Sequence, residues 1–402
     1  MASTTVPSSS EDLQSSETRR IAERDFGQVP WSLWGSYLSE RQWGTVREDY
    51  SADGDAWRSF PHDHARSRVY RWGEDGLLGI CDSQCRLCFS LALWNGADPI
   101  LKERPFGLGN PEGNHGEDLK DYFFHLANTP THSFMRGLYK YPQRRFPYEE
   151  LVAENGRRSR DEPEYELIDT GIFDDNRYFD VVVEYAKASA TDLLIRVRIH
   201  NRGPEPAPLT VLPSLWLRNT WSWGYPDEKP IAIGLAPANE SDPSGPALLS
   251  EPIPHLGAYR LDCREAGTWI FTDNETNSER LWGETNATPF QKDGFHRFVV
   301  EGEAGAVNPA HRGSKAARLV QRTLNAGEEW VLQLRLRAGD AAPAPAFGED
   351  FDRLFSEREQ EWQSFYEHRF ARLSEDDRRI QLASTAGLLW CKKYYEIGRA
   401  HV

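Results

Sequence analysis

The residue pattern predicts a mainly β fold, an antiparallel β-sandwich with its helices gathered at the C-terminal end. Three observations carry this expectation. Short runs with strict apolar/polar alternation recur along the chain. Turn residues bound nearly every run. From about residue 60 to residue 338 no long stretch has a convincing helical period, so the strands have no crossover helices to make them parallel.

The elements follow in order. "RLCFSLALW" sets Leu87, Phe89, Leu91 and Leu93 on one face and Cys88, Ser90, Ala92 and Trp94 on the other. "DLLIRVRIHNRG" alternates Leu193, Ile195, Val197 and Ile199 with Arg196, Arg198 and His200, and ends in a Gly203–Pro204 turn. "EWVLQLRLRAG" repeats the device with Trp330, Leu332, Leu334 and Leu336 opposite Gln333, Arg335 and Arg337. "YFDVVVEYAKA", "LTVLPSLWLRN", "TWIFTDNE" and "FHRFVVEG" are further candidate strands. The texture then changes. "AGDAAPAPAFGED" is a Pro/Ala linker, and Phe351, Leu354, Phe355, Trp362, Phe365 and Tyr366 after it have a helical period. A second helix is expected from Ser374, a plausible N-cap with Asp377 closing an imperfect capping box; its expected buried face is Ile380, Ala383, Gly387, Leu388 and Cys391.

Composition narrows the function. The chain has 402 residues, enough for two or three domains, and 14 Trp with 15 Tyr, a usage that suits stacking on sugar rings as well as large β cores. A net charge of −15 argues against a nucleic-acid or anionic-membrane partner. No apolar run is long enough for a membrane span. The N-terminal stretch "MASTTVPSSSEDLQSSETRR" carries Glu11, Asp12 and Glu17 without an apolar core; residues 1–25 are expected to be a disordered tail and not a signal peptide. Five cysteines, an odd count without such a signal, suggest free thiols in a reducing cytoplasm.

"CDSQCRLC" places Cys81, Cys85 and Cys88 at C-x3-C-x2-C, the spacing of radical enzymes that hold a four-iron cluster. No βα units follow it, so Cys88 is expected to be a small strand residue, the triplet incidental, and the chain without metal or cofactor. His62-x-His64, with Asp63, Glu74 and Asp75 nearby, would point both rings one way on a strand, but a polar cluster bonded to Arg66, Arg68 and Arg71 is the favoured expectation. "GLGNPEGNHGED" does not run from a strand into a helix, so phosphate cradling is not expected.

The densest cluster is "RQWGTVREDYSADGDAWRSFPHDHARSR", within an irregular loop over residues 41–75. Trp43, Arg47, Glu48, Asp49, Tyr50, Asp53 and Trp57 combine flat rings with groups that make paired hydrogen bonds to hydroxyls. Trp43, Arg47, Glu48, Asp49, Tyr50, Asp63 and Trp72 are the candidate substrate-binding residues. A buried ion-pair network pinning the loop fits the same composition equally well.

The blocks "YLSERQWGTVREDYS", "FPHDHARSRVYRWGEDG", "LALWNGADPILKERPFGL", "NPEGNHGEDLKDYFFHL", "DEPEYELIDTGIFDDNRYFDV", "LRNTWSWG", "FTDNETNSERLWG", "KDGFHRFVV" and "AGLLWCKKYY" together resemble, in order from Tyr37 to Tyr395, the N-terminal part of glycoside hydrolase family 63 proteins, relatives of mannosyl-oligosaccharide glucosidases. The resemblance implies an antiparallel β-supersandwich, a helical linker and the first helix of an incomplete (α/α)6 barrel. It divides the chain into a tail at 1–25, a sandwich domain at 26–345, a linker at 346–373 and the start of the barrel at 374–395. It further implies inverting hydrolysis of α-glucosidic bonds in a small glucoside or oligosaccharide end, with both catalytic carboxylates on the barrel and no cofactor. The last residues, "EIGRAHV", depart from the family and resemble the translation of a sequencing adapter, so residues 396–402 are expected to be a non-native tail on a truncated chain. On this reading no catalytic residue belongs to the chain, Asp49, Glu74 and Asp75 included. The fragment is expected to be inactive, the loop at 41–75 to rim the sugar pocket of the complete enzyme, and Trp362, Phe365, Leu388, Leu389 and Trp390 to be partly exposed on fraying helices. The competing expectation is a non-enzymatic carbohydrate-binding sandwich.

Overall fold

The computed structural model describes residues 15–44, 60–225, 229–236, 246–339 and 345–394. Arg47, Glu48, Asp49, Tyr50, Asp53 and Trp57 and the expected tail at 396–402 lie outside them.

Two antiparallel sheets face each other. The six-stranded sheet runs, edge to edge, Trp34–Gly35, Leu77–Asp82, Leu87–Trp94, Ala207–Leu217, Lys315–Leu324 and Thr268–Thr272. The nine-stranded sheet runs Arg312–Gly313, Ile233–Leu235, Leu248–Ser250, Tyr259–Cys263, Glu329–Ala338, Asp192–Asn201, Tyr178–Ser189, Phe134–Pro142 and Phe123–Asn128. The period-two residues sort as the sequence predicts. Leu87, Phe89, Leu91 and Leu93 meet Leu193, Ile195, Val197, Ile199, Trp330, Leu332, Leu334 and Leu336 in one core between the sheets. Two polar bridges cross that core: Trp34 Nε1 donates to Tyr259 Oη at 3.0 Å, and Tyr185 Oη donates to the Leu78 carbonyl at 2.8 Å.

Helices differ from expectation in four places. Residues 16–25, expected within a disordered tail, form the helix Ser16–Asp25, whose N-cap is Ser15. Its anchor is Glu17, a fully buried carboxylate that accepts bonds from the Thr131 N–H, the Thr131 and Ser133 hydroxyls and Arg20. The expected strand "FHRFVVEG" is instead the helix Gly294–Val299, laid against the six-stranded sheet with Phe295 buried beside Ala92, Leu212 and Ala317. A further helix, the ten-residue Tyr148–Arg157, sits in the region where no long helix is expected.

The two C-terminal helices, Glu349–Arg369 and Glu375–Trp390, form where the sequence places them. Ser374 caps the second, accepting from the Asp377 N–H at 3.2 Å. The packing of this second helix is the fourth difference. Ile380, expected on the buried face, is 65% exposed, and Leu388, placed on that face but expected to be partly exposed in this chain, is 74% exposed, while Ala386 and Trp390 are buried. Trp390 is clamped by its Nε1 bond to the Ala127 carbonyl at 3.0 Å and stacks on His125. On the first helix, Phe351 and Phe355 pack against Phe134, Ala186 and Leu194 on the outside of the nine-stranded sheet, and Phe365 is buried too. These helices are docked on the sandwich, so the expected exposure of Phe365 and Trp390 is corrected.

Candidate functional site

The outward side chains of the six-stranded sheet form the floor of the site. Ser90 and Ala92, Ser214 and Trp216, and Lys315 and Ala317 point away from the central core because their strand neighbours point into it. Sequence-distant segments cover this floor. The Ser67 hydroxyl donates to Asp293 at 2.6 Å, the Val69 N–H to Thr276, and Arg218 to the Arg71 carbonyl at 2.7 Å. Covering the sheet this way buries a charge network. Arg104 Nε donates to Asp75 at 2.9 Å, Lys315 Nζ to Glu103 at 2.5 Å, and Asn274 Nδ2 to Glu74 at 3.0 Å. Lys292 donates to the Arg68 carbonyl at 2.8 Å and stands 3.6 Å from the centre of the Tyr70 ring.

Burial dominates the electrostatics. It pushes the Glu74 carboxyl up to about 7, and it lowers the Lys292 ammonium to about 8, with the Arg104 charge adding to the effect. Burial alone would also raise Glu103, but Lys315 and Arg104 hold it below the usual carboxylate range. The partly open cavity lined by Glu74, Asp75, Glu103, Arg104, Lys292 and Lys315, among others, is about 20 Å³, room for one water and far too small for a sugar ring. These carboxylates hold the covering segments down on the sheet.

The predicted site residues divide accordingly. Trp43 is buried: it packs edge-on against His62, clusters with Phe60, Ala65 and Tyr70, and its backbone N–H donates to Asp75. Trp72 is also buried, with Trp223 6.4 Å away. Neither presents a free face for stacking. Asp63 is exposed and pairs with Arg66 at 3.0 Å and Arg280 at 2.6 Å. These described residues of the 41–75 loop are held by ring packing and ion pairs.

His62 and His64 lie on the short helix His62–Ala65 and not on a strand. Burial lowers the His62 imidazole well below its usual range, and its ring sits between Trp43, Phe106 and Tyr148. Asp118, Glu164 and Glu166 also converge, and the Lys120 ammonium stands among them at 2.8–3.1 Å, bonding all three and offsetting one of their charges. Glu103, Arg104, Asn274, Lys292 and Lys315, which complete the buried network, were not singled out by the sequence; the available signal was charge set among aromatic and Gly/Pro residues in "LKERPFGL", "FTDNETN" and "KDGFHRF".

No protein-family profile matches the chain. It is 38% identical over 420 residues to the uncharacterized protein YMR196W of Saccharomyces cerevisiae, an alignment that takes in 94% of this chain. The chain spans 38% of the length of that relative. Among solved structures it overlaps a polysaccharide lyase over 68% of this chain and 27% of that one, with 13% identity and a TM-score of 0.29. An aldose 1-epimerase from Escherichia coli K12 aligns over 54% of this chain and 67% of its own, at 12% identity and TM-score 0.24. TM-scores this low do not define a shared fold.

Proposed function

We propose that this chain is the N-terminal β-sandwich of a longer glycoside hydrolase resembling family 63, and that the whole protein is an inverting α-glucosidase-type enzyme acting on a small glucoside or an oligosaccharide end. One observation carries the reading. The blocks that resemble the family, scattered over residues 60–300, come together on the outer face of one sheet through Ser67–Asp293, Glu74–Asn274, Asp75–Arg104 and Arg218–Arg71. The alignment to a relative much longer than this chain agrees with it.

Inversion needs one carboxylic acid on the glycosidic oxygen and one carboxylate holding water on the opposite face, roughly 6.5–9.5 Å apart. Glu74, Asp75 and Glu103 are buried at a cavity with no room for a sugar, so the acid and base are assigned to the barrel of the whole protein. In the complete protein the sandwich contributes a rigid wall beside the barrel.

The test is to clone the coding DNA downstream of the Glu396 codon, express the complete protein, and assay aryl α-glucosides and glucose-ended oligosaccharides. NMR is used to follow the first anomer released. The expected result is β-glucose from the complete protein and no turnover by the 402-residue chain. Release of α-glucose, or turnover by the short chain that disappears in Glu74→Gln, would overturn the assignment. Sugar binding by the complete protein without hydrolysis would favour the non-enzymatic carbohydrate-binding alternative.

A further inference from the structure

The three cysteines of "CDSQCRLC", expected to be incidental, converge in space. Cys81 and Cys88 are directly opposite one another on antiparallel strands. Cys85 occupies the turn between them and closes the triangle: the three Sγ atoms all lie within 4.8 Å of one another, with Cys85 and Cys88 at 3.6 Å. All three side chains are buried, and no disulfide joins them.

The turn is built to hold this arrangement. Cys85 adopts φ +51°, a left-handed conformation that costs a non-glycine residue energy and persists only where its surroundings fix it. Asp82 supplies the fixing. Its carboxylate accepts the backbone N–H groups of Gln84, Arg86 and Leu87 at 3.0, 2.6 and 2.9 Å, and its carbonyl accepts the Cys85 N–H at 2.8 Å. Four bonds to one aspartate thus hold the middle sulfur over the other two.

The surroundings select the ligand. Thiolates favour soft ions: copper(I), zinc or iron–sulfur clusters. In a four-iron cluster each cysteine binds a different iron, which sets the ligating sulfurs farther apart than these. Structural zinc takes four ligands. Here no His, Asp or Glu joins the three sulfurs among the described residues, and the walls are Leu38 and Trp216, with Tyr37 and Tyr394 packed alongside. Three sulfurs around a metal bonded at about 2.3 Å must lie no more than roughly 4.6 Å apart, close to the spacing found. We propose that Cys81, Cys85 and Cys88 form a three-coordinate thiolate site for a single cuprous ion. Binding would replace three thiol protons, released to solvent, by one monovalent cation, leaving a net charge of −2. Arg218, which bonds the Tyr394 hydroxyl at 3.0 Å beside this wall, is placed to offset part of it.

The test uses the reduced 402-residue chain without oxygen, in a C263A/C391S background that leaves only the three thiols. Copper(I), supplied as its acetonitrile complex, is titrated against bicinchoninate, and zinc alone is titrated in parallel. The expected result is one copper(I) withdrawn from the chelator per chain, thiolate-to-metal absorption in the near ultraviolet, and binding weakened about 100-fold or more by Cys85→Ser. Copper X-ray absorption on the unsubstituted chain provides a readout that needs no variant, and three sulfur neighbours with no nitrogen or oxygen are expected. Copper uptake no greater than that of a C81S/C85S/C88S chain, a nitrogen or oxygen neighbour, or stoichiometric zinc in place of copper would overturn the proposal.

Discussion

Asn274 Nδ2 donates to Glu74 Oε1 at 3.0 Å, joining residues 200 positions apart inside a covered face of the sheet. Burial raises the Glu74 carboxyl to about 7, well above its unfolded value near 4.5. The folded chain therefore holds a proton that the unfolded chain has lost between pH 4.5 and 7. Stability from this group is complete below pH 4.5 and is lost as pH rises through 7. Glu74→Gln keeps the bond geometry and removes the titration. Its stability relative to the parent should increase from pH 4.5 to pH 7.5 by something on the order of 2–3 kcal/mol. Thermal melts of both proteins across that range check it; parallel curves would mean that Glu74 is not buried as described.

Arg104 and Asp75 are both buried, and their 2.9 Å contact is the partner that makes each tolerable inside. Arg104→Met leaves the Asp75 charge without its cation and should cost about 3–5 kcal/mol in denaturant unfolding. Arg379→Met, which removes an exposed contact to Glu375, should change stability by less than about 1 kcal/mol. Equal effects would place the Arg104 pair in solvent.

The strands were legible in the sequence because a sandwich buries one face of each strand, and Leu193–Ile199 and Trp330–Leu336 record that directly. Short helices were not. Gly294–Val299 is too brief to express a 3.6-residue period, and Ser16–Asp25 is anchored by a buried charge at Glu17, whereas pattern reasoning credits only apolar burial. The charge network was hidden for a related reason: Glu74, Arg104, Asn274 and Lys292 come from separate segments, and their pairing exists only once the chain crosses the sheet. The cysteine triangle depends on the left-handed turn at Cys85, which no spacing rule predicts.

Trp43 and Asp63 were both candidates for substrate contact, and the structure assigns them different consequences. Trp43 is buried, so Trp43→Ala should destabilise by about 3–5 kcal/mol, in contrast to a sugar-stacking residue whose loss would leave the melting temperature nearly unchanged. Asp63 is exposed, and Asp63→Asn should cost at most about 1 kcal/mol through its contacts to Arg66 and Arg280. Chemical denaturation of the two variants separates these outcomes; an unchanged melting temperature in Trp43→Ala would return that residue to the candidate binding set.

The final described helix presents two faces with opposite expectations. Trp390 is fully buried, and Trp390→Ala should cost about 3–5 kcal/mol. Leu388, 74% exposed, should tolerate Leu388→Glu within about 0.5 kcal/mol in this chain. Hydrogen exchange should report on the Trp390 anchor. The Cys391 N–H, bonded to the Gly387 carbonyl at 2.9 Å next to the anchored Trp390, should exchange more slowly than amides in the first turn at Glu375–Arg378, where the side chains are largely exposed. If exchange is instead fast throughout Glu375–Trp390, the Trp390 anchor does not form. In the complete protein, where the proposed barrel would pack on the Ile380–Leu388 face, Leu388→Glu should become destabilising by roughly 1.5–3 kcal/mol, the value of burying one such side chain. A complete protein as indifferent to Leu388→Glu as the short chain would show that this face stays in solvent, and the barrel would then have to pack elsewhere.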